Sequence, residues 1–391
     1  MITVKEAQQE IIKHTSFSKT IEIKLAEALN GYLAENIYSP YPIPFFNQSA
    51  VDGYAFNFNE SIPFYTIVEE IPAGDTRRIT IKEGEAARIF TGSKVPDGCD
   101  TVIMQEFTDV NEKQLYLKDN GLKKGGNVRT KGYQIEKGAL ALKKGTRITP
   151  ATIGFLATLG FTTIKIHAFP SAHILVTGSE LVKPGNSLKE GQIFESNSSM
   201  LEAGFNQLKI HPTVVSIKDN LEGTTSSVRE ALKQSDVLVL SGGISVGDYD
   251  FVHEALMKNG VEEVFYKVNQ KPGKPLFFGK KEHKVVFALP GNPAAALNCF
   301  YEYVYPCIRY KMGNESPFLP IMHLPVSEII LKKESRAHFY KAVTDFKTVT
   351  PLGGQNSDAL QSFVWANCLL FLQEGVAEIN TGDLVEVHLL P

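Results

Sequence analysis

The chain has 391 residues, 43% of them hydrophobic, which is enough to fill the cores of two to four domains. Its 40 basic and 43 acidic side chains leave a formal charge of -3, with no basic excess to neutralise a nucleic-acid backbone or an anionic membrane, so a small-molecule partner is favoured over either. Four cysteines without a C-x-x-C pair suit neither a disulfide framework nor a zinc knuckle and predict reduced, mostly buried thiols.

The opening MITVKEAQQEIIKHT puts acidic residues where a signal peptide needs an apolar core, and no run of about 18 apolar residues occurs, so a cytoplasmic location is expected. Thr3 and Glu6 form a T-x-x-E capping box before an amphipathic pattern (Val4, Ala7, Ile11), which predicts a first helix able to dock far from its sequence neighbours. From about Tyr38 the proline-rich YSPYPIPFF breaks all periodicity. Short apolar runs between Gly, Asp and Pro turns then read as a β-rich domain to about Lys137. Within it, Asn47 to Ala55 (NQSAVDGYA) is polar and without strand period, the pattern of an Asx-type turn. Thr149 and Pro150 are a suitable N-cap and first residue for a helix to Leu159.

From Ser171 the grammar changes. Apolar strands at His173–Val176, Thr213–Ser216, Val237–Leu240 and Val285–Ala288 alternate with helical patterns, which predicts a parallel sheet covered on both faces. Ligands of such sheets bind beyond the carboxyl ends of the strands, so the loops after Val176, Leu240 and Ala288 are where chemistry is sought. Beyond about Phe318 the helical period disappears, and Val376 to Leu390 reads as a hairpin turning at Thr381-Gly382-Asp383, part of a small all-β domain.

The loop behind Leu240 is SGGISVGDYD. Gly243, Ser245 and Gly247 match G-x-S-x-G, the pattern of a hydrolase nucleophile, but a nucleophile elbow puts its serine at the strand end. Ser245 comes five residues later, and no histidine is evidently placed to serve it. The adjacent Gly242 and Gly243 instead suit close approach of backbone N–H groups to an anion. Asp248 and Asp250 are ordinary caps taken alone. Beside Lys271-Pro-Gly-Lys274-Pro275, with Lys267 upstream, they fit a phosphate bridged to Mg²⁺, which takes one or two carboxylates and completes its shell with phosphate oxygens and water. In the third loop, Pro290, Asn292 and Pro293 read as a helix start with exposed N–H groups. After Val176, Glu180 stands at the mouth of the same edge, as ready to pair with a cation as to act as an acid.

Together the stretches NQSAVDGYA, ARIFTGSKVPDG with MQE, GNVRTKG, TGSEL with LVKPG, SGGISVGDYD, KPGKP and LPGNPAAA, with a weaker match at GGQNS and ANCLLFL, resemble the molybdopterin molybdenumtransferase family, to which the gephyrin E domain also belongs. The resemblance spans nearly the whole chain. It implies a multidomain α/β plus β architecture, with expected boundaries at 1–20 with 169–318 for the α/β molybdopterin-binding domain and 21–43 with 138–168 for a linker domain. A β-rich domain at 44–137 and a barrel-like C-terminal β domain at 319–391 complete it. The implied activity inserts molybdenum from molybdate into adenylylated molybdopterin with Mg²⁺ and release of AMP, in a homodimer whose active sites are shared between subunits. An adenylyltransferase would hand the substrate over and molybdoenzymes would receive the product.

Carried onto this sequence, the resemblance makes Asp52, Glu180, Asp250, Lys267, Lys271 and Lys274 catalytic, and Glu180, Asp248 and Asp250 metal ligands. Thr91, Gly242, Gly243, Ser245, Gly247, Pro290, Asn292 and Pro293 are the implied substrate contacts. The sequence departs from the family at Val51 (usually methionine), Ser179 (usually aspartate) and Gln134 (usually an acid). Two other readings compete. A molybdopterin adenylyltransferase shares the α/β domain but leaves Asn47 to Ala55 and the C-terminal domain unexplained, and a non-catalytic pterin-binding scaffold leaves the lysine and aspartate loops unexplained.

Overall fold

The computed structural model describes residues 1–217, 220–244 and 251–391. They form two compact units: one of residues 1–34, 145–153 and 163–391, the other of residues 35–144 and 154–162.

In the larger unit a six-stranded sheet runs in the order Thr213–Ile217, Ala172–Thr177, Val237–Ser241, Lys284–Leu289, Phe277–Lys281, Glu262–Tyr266. The first four strands are parallel, as their unbroken apolar runs predict, and Ala172–Thr177 and Val237–Ser241 are buried at every position. The last two are antiparallel, so the sheet is mixed rather than wholly parallel. A tight reversal at Glu282 (φ 57°) joins Phe277–Lys281 to Lys284–Leu289, which leaves no length for a crossover helix.

The first helix, Val4–Lys13, carries the predicted box: Thr3 N donates to Glu6 Oε2 (2.8 Å) and Glu6 N to Thr3 Oγ1 (3.2 Å). Its buried Val4, Ala7 and Ile11 join the core of Phe300, Cys307 and Ile308 at the other end of the chain. That distal partner is one helical run, Pro293–Cys299, Phe300–Val304 and Tyr305–Lys311, whose middle turn is π-helical. Cys299, Cys307 and Cys368 are buried and Cys99 is half-buried, all four as free thiols; burial pushes the Cys99 thiol up to about 12.

A second six-stranded sheet closes the C-terminal part: Gln270–Lys271, Ala337–Thr344, Cys368–Leu372, Leu384–Leu389 and Ile321–Pro325 lie side by side, with Val349–Pro351 paired to the second of them. The hairpin expected around Thr381 does not form. Asn380–Asp383 does turn, but Glu378–Ile379 pairs with Ile330–Leu331, while Leu384–Leu389 runs between Cys368–Leu372 and Ile321–Pro325. The apolar row explains the choice: from that central place Val385 and Val387 bury against Leu370 and Leu324, which a two-stranded ribbon could not offer.

The smaller unit holds a six-stranded sheet in the order Thr101–Met104, Gly53–Phe56, Glu85–Ile89, Tyr65–Ile71, Gln114–Leu117, Thr108–Asn111, with a core of Phe56, Tyr65, Ala86, Ile103 and Leu115. The segment read as an Asx-type turn contributes strands at Gln48–Ser49 and Gly53–Phe56 instead. Asn47 is spent elsewhere, its Oδ1 accepting from Lys131 N at 2.9 Å. Among the described residues no helix is long and apolar enough to cross a membrane.

Candidate functional site

In the larger unit the three loops singled out from the sequence converge on one cleft of about 620 Å³ beyond the carboxyl ends of the parallel strands. Glu180, Gly242, Gly243, Pro290, Asn292 and Pro293 all line it. Gly242 has φ +88°, and a Cβ there would stand 2.3 Å from the Thr177 carbonyl oxygen, so only glycine lets the two strand ends lie this close. The Gly242 Cα also passes the Gly291 position within van der Waals range, which sets the glycine turn against the helix start at Pro293.

Asn197, which the sequence gave no reason to single out, ties the loops together. Its Nδ2 donates to Ser241 Oγ (2.8 Å) and to the Gly291 carbonyl (2.8 Å), while its Oδ1 is buried without a hydrogen-bond partner. An amide that satisfies two loops with its donors and keeps an acceptor in reserve beside a cleft suits a ligand N–H or an ordered water. Asn292 occupies the N-cap position ahead of Pro293, yet its side chain makes no cap; Nδ2 donates to Ser357 Oγ at 2.8 Å. Asp358, next in that C-terminal loop, also lines the cleft.

The lysines stand apart from this lining. Lys271 Nζ donates to Glu334 Oε1 at 2.9 Å, and Glu334 also pairs with Arg336. Those two cations hold the Glu334 carboxyl below the usual carboxylate range, with the Lys271 bond the largest cause. The backbone arranges this: Lys271 lies opposite His338 in a short parallel ladder, and Gln270 is buried, its Nε2 donating to the Gly273 carbonyl (3.0 Å) and its Oε1 accepting from the Tyr303 hydroxyl. Lys267, at φ +79°, places its ammonium 4.9 Å from the centre of the Tyr266 ring. Lys274 contributes its carbonyl to Val268 N at 3.0 Å. The basic loop is therefore partly neutralised by a C-terminal carboxylate that no motif flagged.

The smaller unit brings Asp52 and Thr91 together, two residues 39 positions apart. Asp52 Oδ1 accepts from both Thr91 N (2.7 Å) and Thr91 Oγ1 (2.8 Å). These bonds, the backbone one foremost, hold the Asp52 carboxyl below its usual value, with the Arg88 charge adding to the effect. Gly53 is required beside it, because a Cβ there would meet the Ile103 carbonyl oxygen at 1.7 Å. A carboxylate kept ionised in this way accepts hydrogen bonds or a cation well and takes up a proton poorly near neutral pH.

Ser245, Gly247, Asp248 and Asp250 lie outside the described residues. Among those described, no cluster of three metal-ligating side chains occurs. The carboxylates at the cleft are Glu180, Glu195 and Asp358, and Glu195 is engaged with Ser198 N (2.9 Å) and Ser198 Oγ. Glu180 and Asp358 offer hard oxygen donors, the kind a Mg²⁺ ion uses when phosphate oxygens and water complete its shell.

Three family models match the chain in order: the MoeA N-terminal region (domain I and II) over residues 2–160, a probable molybdopterin binding domain over 173–310, and the MoeA C-terminal region (domain IV) over 324–390. A molybdopterin molybdenumtransferase of Staphylococcus epidermidis is 33% identical across 99% of this chain and 95% of its own length. One of Staphylococcus aureus is 32% identical over the same shares. The crystal structure of a molybdopterin biosynthesis MoeA protein from Pyrococcus horikoshii superposes with a TM-score of 0.83 at 27% identity, over 100% of this chain and 99% of that one. With three family models in order and relatives that match from end to end, the chain belongs to the molybdopterin molybdenumtransferase family.

Proposed function

We propose that this chain inserts molybdenum from molybdate into adenylylated molybdopterin with release of AMP, the closing reaction of molybdenum cofactor synthesis. The observation that carries the reading is the cleft where the glycine turn at Gly242 and Gly243 meets the helix start at Pro293, a setting in which backbone can approach the phosphates of such a substrate closely. The end-to-end likeness to relatives named for this transfer supports it. As the phosphoanhydride breaks, negative charge grows on the departing AMP phosphate, and the ammonium groups of Lys267, Lys271 and Lys274 neutralise it. Lys271 exchanges Glu334 for the phosphate when it does so. Asp52, ionised and fixed by Thr91, accepts hydrogen bonds or orders a cation rather than collecting a proton. Glu180 with Asp248 and Asp250 would hold Mg²⁺, which would neutralise charge on the phosphate oxygens. The working form is a cytoplasmic homodimer in which each site draws on both subunits, with substrate received from an adenylyltransferase and product passed to molybdoenzymes.

The test is turnover. Purified protein with adenylylated molybdopterin, Mg²⁺ and either molybdate or tungstate is expected to release AMP and form metal-loaded cofactor. Asp250→Ala is expected to abolish that turnover while the protein stays folded. A folded wild-type protein that binds the substrate and never releases AMP would make it a pterin-binding scaffold instead.

A further inference from the structure

Strand Ala337–Thr344 places a lysine where a hydrophobic residue would be cheaper. Ala337 and Phe339, in the same row as Lys341, pack into the main core, and Lys341 itself is 3% exposed. No carboxylate among the described residues lies within ion-pair distance of its ammonium. Instead Nζ donates to three carbonyls of one loop: Gly354 (2.7 Å), Asn356 (3.2 Å) and Ala359 (2.9 Å). All three ammonium protons are thus committed to a single turn of chain. Burial pulls the Lys341 pKa below its usual value, which is the cost of the arrangement, and the charge of Asp358 offsets part of it.

The same loop is clamped a second time. Gln355 Oε1 accepts from Lys341 N (3.0 Å), and Gln355 Nε2 donates to Lys341 O (2.8 Å), so the loop reads the strand's backbone at the residue whose side chain it encloses. What the clamp holds out is Ser357 and Asp358. Ser357 takes the Asn292 amide on its hydroxyl and Ala295 N on its carbonyl (3.1 Å), and Asp358 lines the cleft.

We infer that Lys341 is a positioning residue of the active cleft: by gathering the carbonyls of residues 354–359 it fixes Ser357 and Asp358 against the Asn292–Pro293 helix start and so sets one wall of the substrate site. The inference rests on the function proposed above for that cleft. A neutral side chain of similar length would fill the space but remove a charged donor from all three carbonyls, leaving Gly354 O and Ala359 O to share the Ser362 hydroxyl and Asn356 O with Ala359 N alone, and the loop would be held less firmly.

The experiment compares wild type, Lys341→Met and Lys341→Arg, with AMP as the binding probe in calorimetry and full turnover measured alongside. Lys341→Met is expected to raise the AMP Kd and the KM for adenylylated molybdopterin by about 10-fold or more, with kcat changed less than about 3-fold, and Lys341→Arg to restore both to within about 3-fold of wild type. Wild-type affinity in a folded Lys341→Met protein, or a Lys341→Arg protein as impaired as Lys341→Met, overturns the role. Should Lys341→Met not fold, Gln355→Ala removes the second clamp and carries the same expectation and the same refutation. A wild-type protein that binds no AMP sinks the proposed function itself, which separates the two failures.

Discussion

The final strand delivers His388 into a site where its charge can be weighed. The imidazole is 4% exposed, its Nδ1 is 2.8 Å from Glu302 Oε1, and its Nε2 is 2.8 Å from Glu386 Oε1. Glu302 is 2% exposed and has one other donor, Gln8 Nε2 at 3.2 Å. Burial alone pushes the imidazole's pKa down. The charge of Glu302 and the bonds to both carboxylates outweigh it and lift the value from 6.5 to about 10. The folded protein therefore keeps a proton that the unfolded chain gives up above about pH 6.5. Stability from this group is complete below that pH and lost as pH rises through about 10. At about 1.4 kcal/mol per unit, a rise from 6.5 to about 10 corresponds to about 5 kcal/mol, and about 2 kcal/mol of it disappears between about pH 7.5 and 9. The value agrees with the roughly 3–5 kcal/mol lost when one partner of a buried pair is removed. Urea unfolding of wild type and His388→Gln, followed by far-UV circular dichroism, is expected to show a gap of that size near pH 6.5 that closes towards pH 10. Curves that run parallel across the range would refute a protonated His388.

Gly242→Ala is expected to lower turnover by on the order of 100-fold in a folded protein, since a misplacement of about 1 Å at a reacting site costs that much; near-normal turnover would remove the glycine turn from the site. On the proposed dimer with shared sites, chains carrying Asp52→Ala and chains carrying Lys271→Ala, each inactive alone, are expected to regain activity on subunit exchange, because one intact site would be rebuilt. Heterodimers that form without activity would mean that both residues serve the same subunit. Gln134→Glu returns the carboxylate that the family generally has; the half-saturating magnesium concentration for turnover is expected to fall by roughly 10-fold or more, and an unchanged or higher value would separate that position from the metal.

Much of the fold was legible because burial on both faces writes itself as unbroken apolar runs. The four parallel strands fall within a residue or two of their sequence positions, and the Thr3/Glu6 box closes as its spacing requires. Strand partners were less legible. Val376 to Leu390 reads as a hairpin because turn chemistry is local, whereas the choice of neighbour for Leu384–Leu389 depends on Leu370 and Leu324, residues far away in sequence. At the site, glycine and proline announced the loops, since backbone conformation limits what may stand there. Asn197 in a helix, Lys341 in a strand and Glu334 in a bend passed unnoticed because an isolated polar residue carries no period or spacing that distinguishes it from a surface residue. Only their partners reveal them.

Because the first helix and the helical run of residues 293–311 share a core, the order of synthesis runs against the order of packing. Thr15 and Cys307, in contact through Oγ1 and Sγ at 3.3 Å, are 292 positions apart. At about 5–20 residues per second, the ribosome needs roughly 15–60 s to supply the missing half. Throughout that interval Val4, Ala7 and Ile11 lack the part of their core that Phe300, Cys307 and Ile308 supply. Residues 35–162, which hold the whole of the second unit, emerge in the meantime with their own core. A nascent chain halted before about residue 300 therefore still lacks the helical run on which its first helix packs.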